Sequence, residues 1–339
     1  MARRLKKFAG TSVLIIVLLL LVGITFTIGW RPFIGPKVRA LSNKTFEATP
    51  ARIERGRYMV NSVYGCIGCH SERDQKAPGR PPLQNKLGAG TIFMEGGELP
   101  GSVVTPNLTP DKDTGAGNWT DDMLARAIRE GIGHDGRALF PLMPYQNYRA
   151  MPDEDLASVI AYLRTLAPVN NFLPKTEIIF PVKYLMRSTP EPIDAPVPQP
   201  DLSDPVKRGA FLVRMASCAD CHTPQDKGQV KPGMDLGGGL LFKTPEATVM
   251  AANITPDASG ISYYDEELFL QTLRTGKVKA RSLSYIMPWT LYRGMTDEDI
   301  KAFFAYLKTV KPVKHTVDNT EPPTACKLCG KQHGGGNRN

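Results

Sequence analysis

The sequence predicts an all-α chain in which two tandem domains of one kind follow an N-terminal membrane-spanning helix. Three features predict it: an uncharged apolar run near the start, a repeat that aligns the two halves of the remainder, and apolar residues at helical spacing within each repeat. The chain has 339 residues, room for two ordinary domains at about 150 residues each. Its 42% apolar and 22% charged residues are the balance of a chain that buries a core, which excludes general disorder. With 31 glycines and 29 prolines, the loops are expected to be long.

The apolar run is AGTSVLIIVLLLLVGITFTIGW, residues 9–30, without a charge. A helix needs about 20 such residues to cross the hydrocarbon core, so 9–30 reads as a transmembrane anchor. Arg3, Arg4, Lys6 and Lys7 precede it, which makes residues 1–8 a cytoplasmic basic terminus by the positive-inside rule. Trp30 stands where an interfacial aromatic belongs. A cleaved export signal is the alternative, with Val38-Arg39-Ala40 supplying small residues for cleavage. Either reading exports the body. The expected location is the bacterial inner membrane, single-pass, with the following domains on the periplasmic side.

The formal charge of +9 suggests nucleic acid until it is divided along the chain. Residues 1–39 hold seven Lys/Arg and no Asp/Glu, and 301–339 hold seven against two, which leaves 40–300 at −3. The body is almost neutral and has no basic stripe with interleaved aromatics, so nucleic acid is not an expected partner.

Six cysteines are too few for a disulfide scaffold in a chain of this length, and their spacing decides their role. Cys66-Ile-Gly-Cys69-His70 and Cys218-Ala-Asp-Cys221-His222 both read C-x-x-C-H. Thiols three positions apart can each form a thioether to one vinyl group of a single haem, and the adjacent His reaches the iron as proximal ligand. Half of a zinc site lacks partners at conventional spacing, and a redox dithiol has no reason to repeat with His attached. Two covalently bound haem c groups are therefore expected. Each motif is followed by one Met-Pro beside an aromatic: Leu142-Met143-Pro144-Tyr145 and Ile286-Met287-Pro288-Trp289. Proline keeps the preceding residue out of the helical region, so Met143 and Met287 lie on extended loops and are the expected sixth ligands. Met94, Met151, Met250 and Met295 are rivals, and His134, in the polar run GIGHDGR, reads as a surface histidine.

The repeat aligns RGRYMVNSVYGCIGCH (55–70) with RGAFLVRMASCADCH (208–222), NLTPD (107–111) with NITPD (253–257), and AIREG (127–131) with TLRTG (272–276). It ends on MPDEDLASVIAYLRTLAPV (151–169) and MTDEDIKAFFAYLKTVKPV (295–313). Offsets of 144 to 153 residues mean whole domains and not solenoid repeats. These domains are placed at 50–169 and 205–314. In the closing helices, Leu156, Val159, Ile160, Leu163 and Leu166 correspond to Ile300, Phe303, Phe304, Leu307 and Val310, one apolar face each. Thr296 with Asp299 resembles a capping box, and Pro168 and Pro312 stop the helices. No alternating strand pattern is sustained.

Residues 170–204 contain seven prolines and read as a semi-extended connector, apart from an apolar stretch from Ile178 to Met186. Residues 315–339 form a tail. In it Cys326-Lys-Leu-Cys329-Gly330 has Gly where a haem motif needs His, and His333 makes C-x-x-C-x-x-x-H, three potential metal ligands. A flexible tail with a disulfide or free thiols is expected, with a metal site or an unusual haem as the alternatives.

On these motifs each half resembles a class I cytochrome c domain, which implies close contact of Gly56 and Gly209 with Tyr162 and Tyr306. Through TPNLTPDKDTGAGNW, GHDGRALFPLMPYQNY and AANITPDASGISYYDEEL, residues 50–315 are similar to the membrane-bound cytochrome c subunits that accept electrons from alcohol, aldehyde and gluconate dehydrogenases. Those subunits typically carry three haem domains, against two here. The resemblance implies a relay between an electron donor and a respiratory acceptor, with a dehydrogenase, quinol-oxidising complex or oxidase as partner and no catalytic residue of its own. The competing readings are a dihaem enzyme with an open haem, such as a peroxidase or thiosulfate-oxidising cytochrome, and a subunit of a terminal oxidase.

Overall fold

A computed structural model describes residues 2–95, 99–226, 228–243, 248–278, 281–317, 324–330 and 332–333. In each half, the first long helix crosses the last. Pro50–Tyr58 packs on Asp153–Leu163, and Pro205–Met215 packs on Asp297–Leu307. The crossing is made possible by a missing side chain. A Cβ on Gly56 would collide with the Ser158 carbonyl and stand 2.7 Å from Tyr162 Cβ. One on Gly209 would collide with the Ala302 carbonyl and stand 2.7 Å from Tyr306 Cβ. Beside each contact a guanidinium meets a buried carboxylate: Arg55 Nε lies 2.6 Å from Asp155, and Arg208 Nε lies 2.6 Å from Asp299.

Each half adds a middle helix, Asp121–Glu130 or Glu266–Thr275. Thr120 caps the first by accepting from Met123 N at 3.1 Å, and Asp265 caps the second by accepting from Leu268 N at 2.7 Å. Both end on glycines in the left-handed region, Gly131 and Gly276. Thr296 accepts from Asp299 N at 3.2 Å, whereas Pro152 stands at its place in the first half and offers no side-chain cap. A single apolar core joins the halves, from Val60, Leu156 and Ile160 to Leu212, Ile300 and Phe303.

Two sequence expectations are corrected. The structure is not all-α: among the described residues 38% are helical and 10% are in strands. Thr91–Glu95 pairs antiparallel with Gly101–Thr105, which pairs in turn with Glu177–Ile178 of the connector. Leu241–Lys243 pairs with Thr248–Met250 in the second half. These strands have two to five residues, too short for alternation to register in sequence.

The second correction concerns the membrane. The helix Ala2–Phe26 ends before Trp30, because Gly29, at φ 68°, turns the chain and bonds back to Ile24 O at 2.8 Å. The uncharged span is thereby split. Its helical part, residues 9–26, is about 27 Å long against a hydrocarbon core of about 30 Å. Among the described residues no helix is long and apolar enough to cross a membrane. The transmembrane anchor over 9–30 and the single-pass inner-membrane location are therefore not supported.

After this helix the chain straps the first half. Arg39 reaches Asp122 at 2.7 Å and Glu130 at 2.8 Å. Burial opposes ionisation of Asp122, but bonds from Arg39 and Ser42 hold its pKa at about 2.

Two outcomes are expected. Gly56→Ala and Gly209→Ala should each cost about 1–3 kcal/mol through overpacking, while Gly23→Ala, with open space around it, should cost nothing; thermal melts decide. The lowered pKa of Asp122 contributes about 2 kcal/mol that is present above the unfolded value near 4 and lost as pH falls through 2. The stability gap between wild type and Arg39→Met should therefore narrow below pH 4, and a gap independent of pH would contradict this.

Candidate functional site

Each C-x-x-C-H sits on a turn of helix entered through a left-handed residue, Gly65 at φ 61° and Ser217 at φ 57°. In the first, His70 N donates to Cys66 O at 2.9 Å. Burial and the neighbouring cysteine push the thiols of Cys66 and Cys218 up to about 12. Both are neutral at physiological pH, the opposite of the lowered thiol that a redox dithiol needs.

The two histidines are held alike. His70 Nδ1 lies 2.9 Å from Pro106 O, and His222 Nδ1 lies 2.7 Å from Ala252 O. A carbonyl only accepts, so Nδ1 carries the proton and Nε2 keeps its lone pair. Burial lowers both pKa values, which keeps the rings neutral. A neutral imidazole with its tautomer fixed by a backbone carbonyl is the donor an iron takes.

The loops supplying these carbonyls are pinned by the N-x-T-P-D motif, whose task the sequence did not disclose. Asn107 Oδ1 accepts from Thr109 N (3.0 Å) and Oγ1 (2.7 Å), while its amide donates to Val169 O at 2.8 Å. Asn253 repeats the pattern with Thr255 N (3.0 Å), Thr255 Oγ1 (2.8 Å) and Val313 O (2.8 Å). Repetition of the motif marked these asparagines in sequence; only the bonds reveal their purpose.

Met143 and Met287 are half-buried against the common core. The prolines after them share one backbone conformation: Pro144 lies at φ −80°, ψ 46° and Pro288 at φ −80°, ψ 48°. The aromatic two residues after each Met packs on the glycine closing the middle helix. A Cβ on Gly131 would stand 2.5 Å from the Tyr145 ring, and one on Gly276 would run into the Trp289 indole. Tyr148 Oη then donates to Tyr64 O at 2.8 Å, and Tyr292 Oη to Ala216 O at 3.0 Å. These bonds tie each Met loop to the residues just before its own cysteines. Of the rival methionines, Met151, Met250 and Met295 are fully buried core, and Met94 is exposed on a strand. His134 is exposed and stacks on Trp119.

The two sites are neighbours. Leu291 of the second half covers Gly65 and Gly68 of the first haem motif, and Asn147 of the first half donates to Ser217 Oγ at 3.0 Å and Asp220 Oδ2 at 3.2 Å in the second. Each Met-Pro helix thus docks on the other half's cysteine turn. Cys69 is close enough to Cys221 to raise its thiol, after burial and Asp220, to about 11.

The donor set fits haem: two neutral thiols on one turn and an imidazole with Nε2 available, in each half. The buried Trp289 Nε1 has no hydrogen-bond partner among the described residues, a donor that an acceptor on a bound group would satisfy.

Fold and donor set together define a c-type cytochrome. Residues 53–167 and 206–311 each match the family model described as Cytochrome c, and the chain belongs to that family. Covalent haem c is the cofactor the family implies. The chain is 31% identical to the fructose dehydrogenase cytochrome subunit of Gluconobacter japonicus, over 85% of its own length and 59% of that subunit. It is 26% identical to the cytochrome c subunit of the quinone alcohol dehydrogenase of Gluconacetobacter polyoxogenes, over 86% and 68%. A diheme cytochrome c-type protein of Cereibacter sphaeroides is 28% identical over 74% and 83%. The chain thus spans less than two thirds of the fructose dehydrogenase subunit.

Asn253→Ala should destabilise the second half by about 1–3 kcal/mol, because it leaves buried partners unpaired, without preventing haem attachment through Cys218 and Cys221. A wild-type melting curve would show that the loop does not depend on Asn253.

Proposed function

We propose that the protein is a dihaem electron relay that takes electrons from a dehydrogenase and passes them to a respiratory acceptor. Cys66, Cys69 and His70 hold one haem c and Cys218, Cys221 and His222 the other, with Met143 and Met287 as sixth ligands. Bound haem supplies one-electron chemistry at its iron, and His/Met ligation places the potential high. The residues present a neutral imidazole, close the opposite face with a thioether and exclude water. Ligation on both faces leaves no position for substrate, which favours a carrier over an enzyme.

The observation that carries this reading is the reciprocal docking of each Met-Pro helix on the other half's cysteine turn. Two sites built into one shared core suit passage of an electron within the chain. The dehydrogenase partner is supported by the names of the relatives, cytochrome subunits of fructose and alcohol dehydrogenases.

The haem count tests the sites: Cys69→Ala and Cys221→Ala should each lower the content of denatured protein from two haems to one, and Cys326→Ala should leave it at two. Met143→Ala and Met287→Ala should each open one ferrous haem to carbon monoxide, and Met287→His should lower that site's potential. Ready binding of carbon monoxide by the wild-type ferrous protein would favour an open-haem enzyme. Co-purification of a dehydrogenase with the tagged chain tests the partner, and recovery of an oxidase instead would point to the terminal-oxidase reading.

A further inference from the structure

Outside the haem motifs, the described residues bring together a third set of metal-ligating side chains. One ring nitrogen of His315 and the sulfurs of Cys326 and Cys329 all lie within 4.8 Å of one another. The histidine is not the one the spacing suggested. His333 lies on a strand, Gln332–His333, paired with Thr324–Ala325, and its side chain falls outside the described residues. His315 arrives from the chain leaving the last helix.

The local geometry is that of a ligand set. Cys326 to Gly330 forms a tight turn between the two short strands, in which Gly330 N donates to Cys326 O at 2.9 Å and Gly330 adopts φ 70°. Cys329 N donates to Cys326 Sγ at 3.5 Å. His315 is 1% exposed and fixed from several sides. Its Nδ1 lies 2.8 Å from Gly237 O, its backbone N donates to Ser259 Oγ at 2.8 Å, and its carbonyl accepts from Asn253 Nδ2 at 3.1 Å. Nε2 is thereby turned toward Cys326 Sγ, 3.1 Å away. A carbonyl on one ring nitrogen with the other aimed at thiols is the outer-shell arrangement of a metal-bound histidine. Cys329 is 1% exposed against Met234 and Val313, Cys326 is half-buried beside it, and neither forms a disulfide. Lys231 Nζ donates to Cys329 O and braces the turn from outside.

We propose that His315, Cys326 and Cys329 bind one zinc ion. Two sulfurs and one imidazole form the donor set of a borderline-soft divalent metal, with the fourth tetrahedral position left to water or another ligand. Binding releases two thiol protons to solvent. The two thiolates and the neutral imidazole then cancel the 2+ charge, so a neutral centre is buried. Haem is excluded here because Gly330 stands where the proximal His is required. The ion would fasten the terminal hairpin to the loop that orients the second haem's histidine: Gly237, which holds His315, adjoins Gly238, whose N donates to His222 O at 2.7 Å.

The test uses the full chain with its haems, reduced by a phosphine without oxygen, loaded with zinc and dialysed against metal-free buffer. Zinc and iron are counted in the same samples by mass spectrometry, so the haem reading is judged separately by the iron. One zinc per chain is expected, with Zn–S near ~2.3 Å and Zn–N near ~2.0 Å by X-ray absorption. Cys326→Ser and Cys329→Ser should each weaken binding by more than the ~10–100-fold that loss of an outer-shell partner costs, and His315→Ala should do likewise, at unchanged iron. If the reduced wild-type chain retains no zinc, the proposal is overturned. Zinc retained by His315→Ala but lost by His333→Ala would overturn the assignment of His315.

Discussion

The crossing of the first and last helix in each half is the constraint on which the remaining structure depends. At Gly56 and Gly209 the backbones approach so closely that no Cβ fits. A charge pair to a buried aspartate, Arg55–Asp155 or Arg208–Asp299, then fixes the rotation of one helix on the other. The first helix runs straight into the cysteine turn, and the exit of the last helix receives the asparagine that pins the histidine's carbonyl partner. Displacement of the crossing would therefore move thiols and imidazole together. This is why the site can be held by loops: the loops are tied at both ends to one rigid pair of helices.

The two halves are also parts of each other's sites. Leu291 packs on the glycines of the first cysteine turn, and Asn147 bonds to the second. Tyr58 adds a bond from the first half to Asp299, which already faces Arg208. Such contacts belong to one folding unit more than to beads on a linker. The connector is correspondingly structured where its apolar stretch begins, with Glu177–Ile178 completing a three-stranded sheet on the first half.

The repeat and the haem motifs were legible because their chemistry is local. Two residues separate the thiols of each C-x-x-C-H, and a proline beside a methionine sets the backbone without help from elsewhere. The helix cap at Thr296 was equally readable, whereas the one at Thr120 emerged only from its bond to Met123 N. The small sheets were not, since strands of a few residues are stabilised by partners distant in sequence and leave no period of their own. The N-terminal run misled for a related reason: composition counted its residues from Ala9 to Trp30, but Gly29 closes the helix at Phe26 by a backbone turn that hydropathy does not contain.

By itself the sequence determined that two C-x-x-C-H motifs stand in two homologous domains, because the chemistry such a motif serves requires fixed short spacings. Only the tertiary structure decided which groups serve those motifs from afar. Pro106 and Ala252 offer their carbonyls to the histidines, and Asn107 and Asn253 hold those carbonyls in place. His315, eleven residues before Cys326, stands beside the cysteines at a place to which no spacing had pointed. The physical reason is the same in every case: these are contacts through space, set by how helices cross and loops close, and a backbone carbonyl carries no signature in the residue that supplies it.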